Sequence, residues 1–341
     1  MTIHLPTMIN YIAYPAWISP YVISSLPIRW YSMMYIVAFA LTYVLFIRQR
    51  NRGKISISND DTLTLFLYTI TGLILGARLF SALLYEGSSY YWLHPWLIFW
   101  PFRNGSFVGL PGMSYHGGLV GSVVGALLFS KQYKFSFFHV GDILVTAIPL
   151  GYTAGRLGNF INGELWGRIT TAPWGMIFPA SPRFSTNIEW VRNFADSIGM
   201  SYQIGDLISL PRHPSQLYEA LFEGIILFII MYFIVQPKRK WPGFSVAWYL
   251  IGYGVFRFAI EYVRQPDSHL GYIITGEKGS SSIDFFQSLL NISMGQILSL
   301  LMILSGIALF PLTKKLYIID QERKAKEKVP SKKKKGKRKK K

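Results

Sequence analysis

The chain contains no cysteine. Disulfides, thiolate metal sites and a cysteine nucleophile are thereby excluded, and any thiol chemistry must use a partner's thiol. Charge is scarce as well: Asp, Glu, Lys and Arg make up 15% of the 341 residues, against about 25% in ordinary soluble domains. Signatures of soluble enzymes are missing, with no G-x-S-x-G elbow, no H-E-x-x-H helix and no P-loop, which argues against covalent serine and zinc mechanisms. No internal repeat is visible, so the inverted repeats of many transporters find no support. The first residues lack a basic segment ahead of their apolar stretch, and Pro6, Pro15, Pro20 and Pro27 interrupt it. An interfacial segment over residues 1–28 is expected there rather than a cleavable leader.

Hydrophobic residues, by contrast, make up 51% of the chain. Seven apolar stretches run over about 29–47, 62–84, 116–131, 138–156, 214–235, 243–263 and 285–311, each close to the roughly 20 residues that a bilayer core requires. The expected fold is therefore an all-α polytopic membrane protein with seven transmembrane helices, spanning residues 29–312. Arg48, Arg50, Arg52 and Lys54 follow the first stretch, Lys131 and Lys134 the third, Lys238, Arg239 and Lys240 the fifth, and a Lys-rich tail the seventh. By the positive-inside rule these connections are cytoplasmic, giving an N-terminus outside and a C-terminus inside. On the other face, residues 85–115 form an arm containing Tyr90-Tyr91-Trp92-Leu93-His94-Pro95-Trp96, which suits the headgroup region, and residues 168–211 form a small external head. From Thr313 onward 15 Lys and Arg stand against 3 Asp and Glu. A like-charge block resists collapse, so 313–341 reads as a disordered tail beside an anionic leaflet, with no nucleic-acid partner expected.

The polar residues stand where they are costly. Gly155–Gly167 reads G-R-L-G-N-F-I-N-G-E-L-W-G and closes the fourth stretch. It places Arg156, Asn159, Asn162 and Glu164 at a membrane interface, where such a cluster marks a functional site by default. Arg257 lies inside the sixth stretch, roughly 13 Å deep at 1.5 Å per residue, and a lone guanidinium there costs at least about 2.5 kcal/mol. Glu261 and Arg264 follow at i+4 and i+7 on the same helix face. This is either a self-neutralising Arg257–Glu261 pair or, with two arginines to one carboxylate, a site for an anion whose oxygens match the guanidinium fork. His116 opens the third stretch ahead of Gly117, Gly118, Gly121 and Gly125. It is either a helix-end polar group or a base, since an imidazole can take a proton from a thiol near neutral pH. Tyr31 and Trp30, at the start of the first stretch, fit an aromatic belt or a site. Arg78 and Asp142 read as a possible structural pair, and Glu219 and Glu223, at i and i+4, as structural glue.

Five segments, in order, resemble the bacterial prolipoprotein diacylglyceryl transferases: Pro27-Ile28-Arg29-Trp30-Tyr31, Met113–Leu119, Gly155–Gly167, His213–Glu219, and Phe256–Asp267 with its R-F-x-x-E-x-x-R-Q-P-D. The resemblance spans most of residues 27–310. It implies a multi-pass inner-membrane enzyme with its site facing the periplasm. The implied reaction moves the diacylglyceryl group of phosphatidylglycerol onto the lipobox cysteine of a prolipoprotein, forming a thioether and releasing glycerol 1-phosphate. In that frame Arg156 and Arg257 stabilise the leaving phosphate and His116 is the base. Tyr31, Asn159, Asn162, Glu164, Glu261 and Arg264 bind substrate or hold the arginines. No metal and no cofactor is expected, because two guanidiniums supply the charge. A lipid transporter would explain arginines in the membrane, but not their clustering at one interface. A non-catalytic chaperone for lipoprotein precursors would tolerate loss of Arg156 and Arg257.

Overall fold

A computed structural model describes residues 11–23, 28–86, 90–103, 105–107, 109, 112–266, 271–276 and 282–328. Its helices are α1 (Trp30–Asn51), α2 (Asn59–Phe80), the short α3 (Tyr90–Leu93), α4 (Tyr115–Gln132), α5 (Phe137–Leu144), α6 (Ile148–Ile161), α7 (Glu189–Ser197), α8 (Ser215–Glu219), α9 (Phe244–Ile260) and α10 (Met294–Lys328). α8 continues through π-helical turns at Ala220–Ile226 and Ile230–Val235. Serines start several helices by capping free backbone donors. Ser58 Oγ accepts from Asp61 N at 3.0 Å and Ser114 Oγ from Gly117 N at 3.1 Å.

Five segments are long and apolar enough to cross a membrane: Trp30–Asn51, Asn59–Tyr85, Phe137–Ile161, Ser215–Lys238 and Met294–Glu327. Seven were expected. The other two are helices of the bundle that fall short by length or apolarity. α9 has 17 residues, roughly 26 Å at 1.5 Å per residue, against a core of about 30 Å. α4 carries His116, four glycines, Lys131 and Gln132 within its 18 residues. The expected fourth span is broken at Val145–Ala147, just ahead of Pro149. The break is satisfied from α1, where buried Gln49 donates to Ile143 O at 3.1 Å and accepts from Thr146 Oγ1 at 2.8 Å, as irregular backbone in a bilayer requires.

The last helix starts at Met294, not at 285, because Asp284 and Phe285 are taken up by the head. It continues to Lys328, so the first part of the segment read as a disordered tail is helical. There the charges alternate in sign and form i,i+4 pairs, Lys324–Asp320 at 2.6 Å and Arg323–Glu327 at 3.0 Å. The lysine run beyond Lys328 lies outside the described residues, as do Pro27 and Asp267 of the family-like segments.

Glycine sets the closest helix contact. A Cβ on Gly121 of α4 would overlap the backbone of Gly72 on α2 and stand 3.0 Å from Gly76 Cα, and Gly117 and Gly125 meet α2 in the same way. This small-residue seam lets two backbones touch. Gly121→Ala is expected to destabilise the purified protein by about 1–3 kcal/mol through overpacking, read as a lower Tm in detergent. An unchanged Tm would mean that the seam yields freely.

The head has its own core of Ile169, Val191, Ala195, Ile198, Met200 and Leu210. The antiparallel strands Arg183–Ser185 and Leu207–Ser209 flank it. The N-terminal segment joins this unit, since Ile12–Ala13 pairs in parallel with Met176–Ile177. Tyr14 Oη donates to the carbonyls of Phe160 and Ile161, both at 2.9 Å. Two arginines fasten the head to the end of α9. Arg168 donates to the carbonyls of Arg264 (3.0 Å), Phe285 (3.1 Å) and Glu261 (3.4 Å) and to Tyr272 Oη. Fully buried Arg212 donates to Gln265 Oε1 at 2.9 Å and Asp284 Oδ1 at 3.1 Å.

Arg78 and Asp142 are not partners. Arg78 pairs with Glu86 at 2.9 Å and donates to Ile98 O and Tyr91 Oη. Asp142 accepts from Gly243 N at 2.9 Å and Val246 N at 3.0 Å, capping α9 at its other end. The two residues serve opposite ends of the bundle.

Candidate active site

Three helices bring charge to the head-side end of the bundle. α6 carries Tyr152, Arg156 and Asn159 at i, i+4 and i+7, a single helix face. α8 and its first π turn supply Glu219 and Glu223. The end of α9 supplies Arg257, Glu261 and Arg264. The carboxylates of Glu219, Glu223 and Glu261 belong to residues exposed by only 0%, 1% and 2%, so each requires a partner.

Those partners form an alternating chain. Arg156 Nε donates to Tyr152 Oη at 2.6 Å and lies 2.8 Å from Glu219 Oε2. The other oxygen of Glu219 is 3.6 Å from Arg264 Nε. Arg264 Nη1 is 3.9 Å from Glu261 Oε2, which is 2.7 Å from Arg257 Nη2. Glu261 Oε1 accepts from Ser293 Oγ at 2.8 Å. At Gly295 a Cβ would come within 2.7 Å of that same oxygen, so only glycine lets the start of α10 close over the carboxylate. Tyr152 Oη donates to Glu223 Oε2 at 2.5 Å. The surplus positive charge expected from α9 alone is thus offset by α8: three arginines face three buried carboxylates. Among these residues five polar atoms are buried without a hydrogen-bond partner in the protein: Arg257 Nη1, Glu219 Oε1, Glu223 Oε1, Glu261 Oε2 and Asn162 Oδ1. Of these, Glu219 Oε1 and Glu261 Oε2 keep their ion-pair contacts.

The signature segment after α6 extends this chain. Asn159 Oδ1 accepts from Arg156 Nη1 at 3.3 Å, and its Nδ2 donates to Glu164 Oε1 at 2.9 Å. Asn159 and Glu164 therefore hold Arg156, whereas Asn162 does not join them. Tyr31 packs on the same helix, its Cα 3.4 Å from where a Gly158 Cβ would stand, and its Oη is 2.8 Å from Tyr35 Oη. It lies within electrostatic reach of Arg156 and Glu164. His116 is apart from the chain. It is exposed on the protein surface, and its Nδ1 lies 3.0 Å from Tyr85 Oη. Its neighbour Tyr115 is within electrostatic reach of Tyr249 and Tyr253 on α9.

Beside the site, His213 Nδ1 is 3.2 Å from Tyr218 Oη, which accepts from Trp174 Nε1 at 2.7 Å. Burial, with the nearby Arg168 guanidinium, holds His213 down at about 4, so it is neutral at neutral pH. Sequence reasoning missed Tyr152 and Ser293 and treated Glu219 and Glu223 as glue. Tyr152 stands four residues before Arg156, a legible signal. Ser293 has no local mark, because it reaches Glu261 only through the start of α10.

Residues 20–312 match the model of the prolipoprotein diacylglyceryl transferase family. The chain belongs to this family. The phosphatidylglycerol–prolipoprotein diacylglyceryl transferase of Treponema denticola is 49% identical over 339 residues, 94% of this chain and 98% of that one. The same-named protein of Treponema pallidum is 49% identical over 311 residues, 87% and 93% of the two chains. That of Borreliella afzelii is 42% identical over 317 residues, 91% and 97%. As a prolipoprotein diacylglyceryl transferase family member, the chain has its whole arginine–carboxylate array within the matched range. The outer part of α10 lies beyond it.

Proposed function

We propose that this chain transfers the diacylglyceryl group of phosphatidylglycerol to the thiol of a prolipoprotein lipobox cysteine, the first step of lipoprotein maturation. The observation that carries the reading is the mixed set of buried atoms without a hydrogen-bond partner at the arginine chain: one guanidinium donor, Arg257 Nη1, beside three carboxylate acceptors, Glu219 Oε1, Glu223 Oε1 and Glu261 Oε2. A phosphatidylglycerol headgroup has the complementary set, anionic phosphate oxygens next to glycerol hydroxyls. A bare phosphate would meet the donor and be repelled by the acceptors.

In this mechanism the sulfur forms its bond to the glyceryl carbon as the carbon–oxygen bond to phosphate breaks. The electron pair goes to the phosphate oxygen, and glycerol 1-phosphate leaves. A phosphodiester with one negative charge becomes a monoester with two. Arg257 and Arg156 stabilise that added charge where water is scarce. Glu261 and Ser293 orient Arg257, Asn159 and Glu164 orient Arg156, and Arg264 meets the incoming headgroup. Tyr31 adds a phenol at the same face, and Asn162 offers its unmatched Oδ1 to a hydroxyl. The cysteine proton goes to His116. With Nδ1–H donated to Tyr85, its Nε2 keeps a free lone pair.

The proposal also includes seven crossings, with α4 and α9 completing the five longer segments. The head and arm then face the periplasm from the inner membrane, with the basic loops in the cytoplasm. That sidedness is supported by 24 of the 35 Lys and Arg falling in one set of connections. Lys314, Lys315, Arg323 and Lys324 on the last turns of α10 would attract anionic lipid.

The direct test incubates purified protein with phosphatidylglycerol vesicles and a lipobox peptide and then weighs the peptide. A diacylglyceryl increment is expected, and its absence with an active control enzyme would sink the reading. For the base, His116→Gln is expected to lower the rate about 100-fold and to abolish the acid limb of the pH–rate profile. An unchanged rate and profile would place the base elsewhere.

A further inference from the structure

The segment that opens α8 has a second task. Leu165 holds a left-handed backbone, φ +57°, one of two non-glycine residues to do so among those described. For a leucine this is unfavourable. Its own side chain is 41% exposed and contributes little to holding it. What holds it is α8: Ser215 Oγ donates to Leu165 O at 3.0 Å, and Gln216 Nε2 donates to Glu164 O at 2.5 Å. Both donors belong to fully buried residues. The Gln216 amide cannot turn over, because its oxygen would then face a carbonyl oxygen.

We infer that Ser215 and Gln216 are positioning residues. They pin the strained Glu164–Leu165 backbone so that the Glu164 carboxylate meets Asn159 and keeps Arg156 aimed. Glu219, one turn further along, holds the same arginine from the other side. One helical start therefore fixes Arg156 twice, through a loop and through an ion pair. The inference rests on the transferase reading for its effect on turnover, but its structural content stands apart from it.

The test uses strain as its own control. Gln216→Met removes the donor at nearly constant volume and frees Leu165 to relax. Glycine is at home in the left-handed region, so Leu165→Gly removes the drive to relax. The expected result is that Gln216→Met lowers kcat about tenfold with KM within about twofold. Adding Leu165→Gly should return kcat to within about threefold of the wild type. In parallel, 19F NMR of 5-fluorotryptophan protein, with the Trp166 line assigned by Trp166→Phe, should show that line moving in Gln216→Met and returning in the double variant. If Gln216→Met does not fold, Ser215→Ala takes its place. Wild-type kcat in Gln216→Met, or a loss that Leu165→Gly fails to mend while the Trp166 line stays fixed, overturns the inference. A wild-type protein with no transfer refutes the transferase reading instead, and the 19F line still decides whether α8 holds the loop.

Discussion

Arg257→Lys should lower lipobox transfer by about 100-fold or more, although it preserves the positive charge. Arg257 uses Nη2 on Glu261 and leaves Nη1 buried without a protein partner. A lysine placed there has one ammonium, which Glu261 claims. The second, divergent donor is lost, and with it the bond that strengthens as the leaving phosphate gains charge. The deficit should therefore appear in kcat. Tm should fall little, because Glu261 keeps a cation and its Ser293 hydrogen bond. Peptide mass spectrometry gives the rate and thermal unfolding in detergent gives the control. Turnover within about threefold of wild type would remove Arg257 from the phosphate-stabilising role. A collapsed Tm would show instead that its task is structural.

The second large effect is expected at Glu219, the most buried of the three site carboxylates. It faces Arg156 at 2.8 Å and Arg264 at 3.6 Å from opposite oxygens. Glu219→Ala leaves two guanidiniums facing each other in low dielectric, and breaking a buried pair from one side costs about 3–5 kcal/mol. A Tm drop of roughly 6 °C or more is expected, together with loss of transfer. The decisive comparison is Glu219→Ala with Arg156→Met. If the damage arises from an uncompensated charge, the double variant should be more stable than Glu219→Ala alone, though still inactive. Additive losses would deny the ion pair its role.

Part of this was legible in the chain and part was not, for physical reasons. Arg156, Arg257, Glu261 and Arg264 announce themselves because a charge inside an apolar run is costly anywhere in a bilayer. Asn159 and Glu164 share that visibility through their frame. Glu219 was seen but undervalued: a carboxylate on a helix looks like glue until the facing residues are known, and these are Arg156, 63 residues back, and Arg264, 45 residues further along. The break between α5 and α6 was missed because its cure, Gln49, lies about a hundred residues away. Helix length was misjudged at α10, where the start is decided by the head's claim on Asp284 and Phe285 rather than by hydropathy.

The alternating chain of arginines and carboxylates also bears on how a turnover ends. A dianion held by bare guanidiniums would be hard to surrender, because its departure would strand two like charges in a dry site. Here Glu219 and Glu261 lie within ion-pair distance of the three arginines. On the proposed transferase mechanism they would serve as resident counter-ions that reclaim each cation as the product withdraws. Binding then becomes an exchange of partners rather than a capture, and release leaves no ion alone. The affinity given up on entry is what allows the product to leave.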